Sequence, residues 1–243
     1  MDVPKVAVHA AVVAVLGFQS LAGIAATLGR DEAGDSAYAK RPFWTSGENG
    51  GAGFMGWNLV GTGEPATDRG FKIADSRTIN SDINSPAGVA FGLFANGKGL
   101  AAEAYRTFDA PLDVGQTFSV DVAVNFRSGL RGLDLRTPAS DNERVIFNFN
   151  VGAEDYVVHK AATGNGSVGS TYDARSAFTL TFTQTGEVGG SWTVVRRGGV
   201  ASESTGTYAG RAAGVKFYVR DTDGGKENEF WINHLAITAD GAR

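Results

Sequence analysis

Between Thr117 and Phe126 every second residue is apolar: Phe118, Val120, Val122, Val124 and Phe126 alternate with Thr117, Ser119, Asp121 and Asn125 across the intervening positions. A period of two puts the first set on one face of an extended strand and the second on the other. A slip of one residue would carry Asp121 into the core, so the register is strongly specified. The same phase returns along the chain. Val145, Phe147, Phe149 and Val151 alternate with Ile146, Asn148 and Asn150; Phe178, Leu180 and Phe182 with Thr179, Thr181 and Thr183; Val215, Phe217 and Val219 with Lys216, Tyr218 and Arg220. Phe230, Ile232, Leu235 and Ile237 close the pattern. Further strands are expected at 89–95, 102–108, 130–136, 156–159, 191–196 and 202–208, and no amphipathic helix after residue 43.

The connections indicate how these strands pair. Gly accounts for 34 of 243 residues and charged residues for only 20%, a composition suited to short strands and tight turns. Thr185-Gly186 to Gly189-Gly190, Gly198-Gly199 and Asp223-Gly224-Gly225 each fall between alternating runs. Parallel strands need crossovers of a dozen residues or more, and many of these gaps are too short. The expected fold is therefore all-β, an antiparallel, jelly-roll-like β-sandwich over residues 43–243.

A different pattern precedes it. Residues 6–29 carry no formal charge, with Lys5 before them and Arg30, Asp31 and Glu32 after. This stretch is expected to be a hydrophobic helix (domain 1–29), followed by a polar linker at 30–42. Roughly 20 apolar residues span a bilayer, so Val6, Val13, Leu16, Phe18, Leu21 and Ile24 would contact lipid in a membrane anchor. The alternative is a cleaved signal peptide, for which Gly23-Ile24-Ala25 supply small residues at a cleavage site. Either case places the sandwich outside the cytoplasm, on the periplasmic or extracellular side.

Charge and cysteine content exclude several classes. With 22 basic and 26 acidic residues, the formal charge of −4 argues against nucleic acid as a partner. The absence of cysteine excludes disulfides and structural zinc, so the core itself must stabilise the domain.

Residues 85–126 contain an apolar strand ending in Ala95-Asn96, a turn at 97–99, the run Ala102-Glu103-Ala104-Tyr105-Arg106-Thr107-Phe108, and Gly115-Gln116-Thr117-Phe118-Ser119-Val120. In this order they resemble an uncharacterised type of bacterial exported β-sandwich domain. The ending Glu229-Phe230-Trp231-Ile232-Asn233-His234-Leu235 is similar to the last strand of such domains. The resemblance spans residues 43–238. It implies export and suggests a binding role, because such domains occur on secreted proteins, some of them carbohydrate-active. It transfers no catalytic residue.

Candidate chemistry is sparse. Asp221 and Asp223, in the loop Asp221-Thr222-Asp223-Gly224-Gly225, supply hard oxygen ligands suited to calcium, although Asp-Gly also simply forms turns. Tyr218 and Trp231 are out of phase with their strands' apolar sets and could stack on sugar rings. Glu227 and Glu229 have the i, i+2 spacing of a glycosidase pair but lie beside a glycine-rich turn. Tyr156, His159 and Arg175 are residue types used by polysaccharide lyases, without a surrounding motif. No nucleophile elbow is present. The expected function is a non-catalytic, exported structural or interaction protein: a membrane-anchored accessory subunit meeting other membrane or envelope proteins. The alternatives are a carbohydrate-binding module with a glycan partner and, after it, a polysaccharide lyase or glycosidase.

Overall fold

The computed structural model describes residues 25–239 apart from 39–41, 80, 125, 127, 142–143, 152–154, 160–165, 170 and 225–227. The described residues form two antiparallel sheets packed face to face as a β-sandwich. The eight-stranded sheet has the order β13-β12-β11-β6-β15-β4-β3, with β1 also pairing β15; the seven-stranded sheet has the order β10-β9-β8-β7-β14-β5-β2. The strands of the first are β1 (Ala26–Asp31), β3 (Arg69–Ala74), β4 (Ala90–Ala95), β6 (Gln116–Val124), β11 (Ala177–Gly186), β12 (Gly189–Arg197), β13 (Ser202–Ala209) and β15 (Glu229–Ala239). Those of the second are β2 (Asn58–Thr62), β5 (Ala101–Thr107), β7 (Leu130–Arg136), β8 (Val145–Val151), β9 (Tyr156–His159), β10 (Gly166–Gly169) and β14 (Gly214–Arg220).

The alternation does what its period requires. Phe118, Val120 and Val122 of β6, Phe178, Leu180 and Phe182 of β11 and Val215, Phe217 and Val219 of β14 are all buried in one core between the sheets. Rings interlock across it. Phe182 stacks with Phe118 at 6.2 Å between centroids and meets Phe147 of the opposite sheet edge-on at 4.9 Å. Such a pair contributes about 0.5–1.5 kcal/mol beyond its buried area. Between β12 and β13 the chain reverses at Gly198 and Gly199, both with positive φ (73° and 59°), where a side chain would be strained.

The amino-terminal expectations need correction. Ala26–Asp31, read as the end of a helix and the start of a linker, is a strand antiparallel to β15, with Ala26 opposite Ala239 and Asp31 opposite Leu235. The cause is tertiary: β15 has a long unpaired edge beyond β4, and β1 satisfies its backbone groups. The 30–42 segment is not a solvated linker either, since Asp31, Ala33 and Tyr38 are wholly buried. Residues 1–24, with Val6, Val13, Leu16, Phe18, Leu21 and Ile24, lie outside the described residues. No helix among the described residues is long and apolar enough to cross a membrane.

Candidate functional site

The seven-stranded sheet carries an unusual outer face. Cross-strand pairing aligns two rows of outward-pointing residues. One runs His159, Asn148, Asp134, Lys216, Tyr105, Asn58 across β9-β8-β7-β14-β5-β2; the next runs Val157, Asn150, Gly132, Tyr218, Glu103, Val60. Each belongs to the half of an alternating strand that points away from the core, and apart from Val157, Gly132 and Val60 these residues are polar.

These groups form one network. Lys216 Nζ lies 2.7 Å from Asp134 Oδ2 and 3.8 Å from Glu103 Oε1. Arg220 ion-pairs with Glu103, and Tyr105 Oη donates to Glu103 Oε2 at 2.7 Å. Asn148 Nδ2 donates to Asp134 Oδ1 (2.8 Å) and to Tyr218 Oη (2.8 Å), and Asn150 Nδ2 donates to the same hydroxyl (3.0 Å). Tyr218 reaches these amides by passing over Gly132. A Cβ at that position would collide with the Phe149 carbonyl and stand 2.9 Å from Tyr218 Oη. Lys216 Nζ is 5.1 Å from the Tyr218 ring centroid, within cation–π range.

The electrostatics follow from this packing. Burial opposes ionisation of Glu103, but Arg220, Tyr105 and Lys216 outweigh it and hold the carboxyl below its usual range. Burial, then the hydrogen bond to Glu103, pushes Tyr105 up to about 12. Burial also raises Tyr218, against the donated amide hydrogens of Asn148 and Asn150. Both phenols are therefore neutral at physiological pH. Two depressions open on the face. One of about 430 Å³ is lined by Asn58, Tyr105, Pro111, Arg136 and Pro138 among others; one of about 200 Å³ is lined by Leu130, Asp134, Lys216, Tyr218 and Arg220.

The other sequence candidates fall elsewhere. Tyr218 and Trp231 belong to different sheets and share no platform. Tyr218 is 7% exposed; Trp231 is fully buried in a small cluster with Ile83, Ala90, Ala123 and Ala177 on the far side of the eight-stranded sheet. Asp221, at φ 52°, accepts a hydrogen bond from the Gly99 backbone N–H at 2.6 Å, and Asp223 accepts one from the Asn228 side chain. Among the described residues no group of three or more metal-ligating side chains gathers anywhere. Glu229 pairs with Lys72, whereas Glu227 lies outside the described residues. Tyr156 is in the core under Phe178, Arg175 pairs with Asp173 in an exposed loop, and only His159 faces outward with the polar rows, so the three do not converge.

On the eight-stranded sheet, His234 Nδ1 lies 3.1 Å from Asp121 Oδ2, at a bulge in β15 where His234 has φ 53°. The hydrogen bond to Asp121 raises the histidine, and Asp121 is also held by Thr179 and Arg197.

The fold and its polar face define an antiparallel β-sandwich with one decorated sheet. No family model matches the chain, and no curated protein matches it. Among solved structures it is similar to the carbohydrate esterase vb_24B_21 from Shiga toxin-encoding bacteriophage phi24B: 14% identity, TM-score 0.48, covering 89% of this chain and 99% of that one. It is also similar to a glycosyl hydrolase family 16 protein from Mycobacterium smegmatis: 11% identity, TM-score 0.42, covering 87% and 100%. A third is the cellulose-induced protein Cip1: 9% identity, TM-score 0.43, covering 74% and 90%. None of them assigns a role to a residue of this chain.

Proposed function

We propose that this chain is a glycan-binding module whose binding surface is the outer face of the seven-stranded sheet. The observation that carries the reading is the cross-strand network of Asn148, Asn150, Asp134, Lys216, Glu103, Tyr105 and Tyr218. Sugars present hydroxyls that both donate and accept, on a scaffold with apolar ring faces. A sheet face of amides, ionised groups and phenols held in place by one another meets them with little side-chain entropy left to lose.

The same chemistry favours binding over hydrolysis. A glycosidase needs one carboxylic acid kept protonated, with a raised pKa, beside an ionised partner. Here Glu103 and Asp134 both touch Lys216, and Glu103 is held in its ionised form.

Affinity electrophoresis and calorimetry against soluble plant, algal and bacterial polysaccharides test the proposal. Wild-type protein binds at least one of them. Tyr105→Ala and Lys216→Ala weaken that binding about tenfold, the worth of one well-placed polar contact. Trp231→Phe, on the other sheet, leaves it unchanged. Absence of binding to every polymer, or equal loss in the Trp231 control, overturns the reading.

A further inference from the structure

We infer that the outer side of the eight-stranded sheet holds a second sugar site, a depression beside the Phe94 ring that takes one neutral pyranose unit. The site shares no residue with the two depressions on the seven-stranded sheet, so either face can fail without the other.

Phe94 is a ring outside the core. In β4, Ala90, Phe91, Gly92, Leu93 and Ala95 are buried, whereas Phe94 is only half-buried. It belongs to neither apolar cluster of the sandwich. Strand pairing sets it between Glu229 of β15 and Gly70 of β3, with Trp231, Gly92 and Lys72 in the row beside. Side chains of a strand usually stand roughly perpendicular to the sheet. This one leans over β3, where a Cβ on Gly70 would come within 3.1 Å of the ring. The missing side chain leaves room for it. An aromatic surface held firmly by the sheet yet withheld from the core is what stacking on a ligand requires.

Polar groups surround that ring. The depression of about 630 Å³ is lined by Phe94 together with Thr67, Asp68, Lys72, Asn96 and Glu229. Small-ligand sites run from roughly 300 to 1,000 Å³. Lys72 pairs with Glu229 and stands 5.2 Å from the Trp231 ring centroid, which fixes its ammonium in the wall. An ammonium carries three N–H donors, so a partner on one side leaves donors for a ligand on another. The Asn96 N–H donates to the Asp68 carbonyl at 2.7 Å and clasps the ends of β3 and β4 together. That clasp brings the exposed Asp68 carboxylate and the Asn96 amide to the same depression. The Asn96 side-chain oxygen is buried and has no hydrogen-bond donor, a deficit that a ligand hydroxyl can fill.

An apolar ring beside both donors and acceptors matches a pyranose, which has C–H groups on its faces and hydroxyls around its edge. Charge narrows the choice. Lys72 is answered by Glu229, whereas the Asp68 carboxylate accepts a hydrogen bond from the neutral Thr67 hydroxyl at 3.2 Å and ion-pairs with nothing. A sugar carrying carboxylate or sulfate is therefore repelled from this wall. A neutral one offers hydroxyl hydrogens to Asp68 and Asn96 and accepts from Lys72.

The test uses calorimetry on the full chain with ligands short enough to fill one site each. Cellotriose, xylotriose, mannotriose and N-acetylchitotriose are compared with trigalacturonate and deacetylated chitotriose as charged counterparts. Each is titrated into wild type and into Tyr105→Ala, in which the seven-stranded face is disabled. At least one neutral trisaccharide binds both proteins. Adding Phe94→Leu, which keeps an apolar side chain, weakens that binding about fivefold, the worth of an aromatic surface. Adding Asp68→Asn, at an exposed loop position, weakens it about tenfold, the worth of a charge-assisted hydrogen bond. Unchanged urea midpoints show that neither variant acts by unfolding. Absence of trisaccharide binding to Tyr105→Ala overturns this site, as does binding there that either added variant leaves untouched. Both outcomes leave the seven-stranded face to be judged by the polymer panel. Trigalacturonate bound as tightly as the best neutral trisaccharide, or deacetylated chitotriose bound more tightly than all of them, overturns the assignment to neutral sugars.

Discussion

Strand β5 carries two ionic networks, one on each of its faces, and they behave in opposite ways. Inward, the Arg106 guanidinium lies 2.6 Å from the Asp31 carboxylate, which also accepts from Tyr38 Oη at 2.7 Å and Trp57 Nε1 at 3.0 Å. Arg106 and Asp31 are both fully buried, and the guanidinium stacks over the Phe54 and Trp57 rings. One and three residues away, Tyr105 and Glu103 point outward into the network shared with Lys216 and Arg220. The inner network ties β1 and the segment through Trp57 to the opposite sheet. Its members have exchanged water for one another, so removing one strands the rest. The outer network keeps its rim in water, where the Arg220 side chain is 43% exposed. Similar residue types thus hold the fold together on one face and, under the proposed function, meet a glycan on the other, and the degree of burial makes the difference.

The comparison can be broken most forcefully from within. Asp31→Ala leaves Arg106 a buried cation without its carboxylate and should cost about 3–5 kcal/mol, measured by urea unfolding. Glycan affinity per folded molecule should not change. A smaller effect is expected on the outer face. Tyr218→Phe deprives the Asn148 and Asn150 amides of their shared acceptor and should cost about 1–2 kcal/mol. It should also weaken glycan binding, unlike the Asp31 variant, and calorimetry on the two proteins side by side separates them.

The smallest effect is the most diagnostic. Burial raises the Asp31 carboxyl above its ordinary value, despite Arg106, Tyr38 and Trp57. The folded protein therefore holds this proton across a span where the unfolded chain has lost it, and stability from this group falls as pH rises through that span. Glu103 is depressed, so its contribution is fully present above the ordinary glutamate value and is lost as pH falls through the folded one. Urea midpoints from about pH 3 to about pH 7 should thus shift in opposite senses for Asp31→Asn and Glu103→Gln relative to wild type. Equal slopes would mean that the two faces do not differ as described.

Much of the architecture was legible from residue patterns. The strands at Leu130–Arg136, Val145–Val151 and Tyr156–His159 were expected at those bounds, and those around Phe118, Phe178 and Phe217 with the correct inward set. Four strands were missed, for identifiable reasons. Asn58–Thr62 and Arg69–Ala74 are short with little alternation, and Gly166–Gly169 is half glycine. Ala26–Asp31 lies at the end of an apolar run whose composition suits a helix, and only the open edge of β15 makes it a strand. The site was legible in fragments. Tyr218 was singled out and the outward phase of Lys216, Arg220, Asn148 and Asn150 was plain, but Glu103, Asp134 and Arg136 stood in strands far away in sequence. Trp231 misled because the same outward phase on the other sheet is covered by Ile83 and its neighbours.

What the sequence determines by itself is which half of each strand faces the core. Side-chain direction has a period of two, and burial enforces it locally. What tertiary structure alone decides is the neighbour. β14 is inserted between β7 and β5, some eighty residues and more than a hundred from them along the chain. Only that placement brings Lys216 between Asp134 and Glu103 and lays Tyr218 across Gly132 to two asparagines. The polar residues of four strands thereby become a single face.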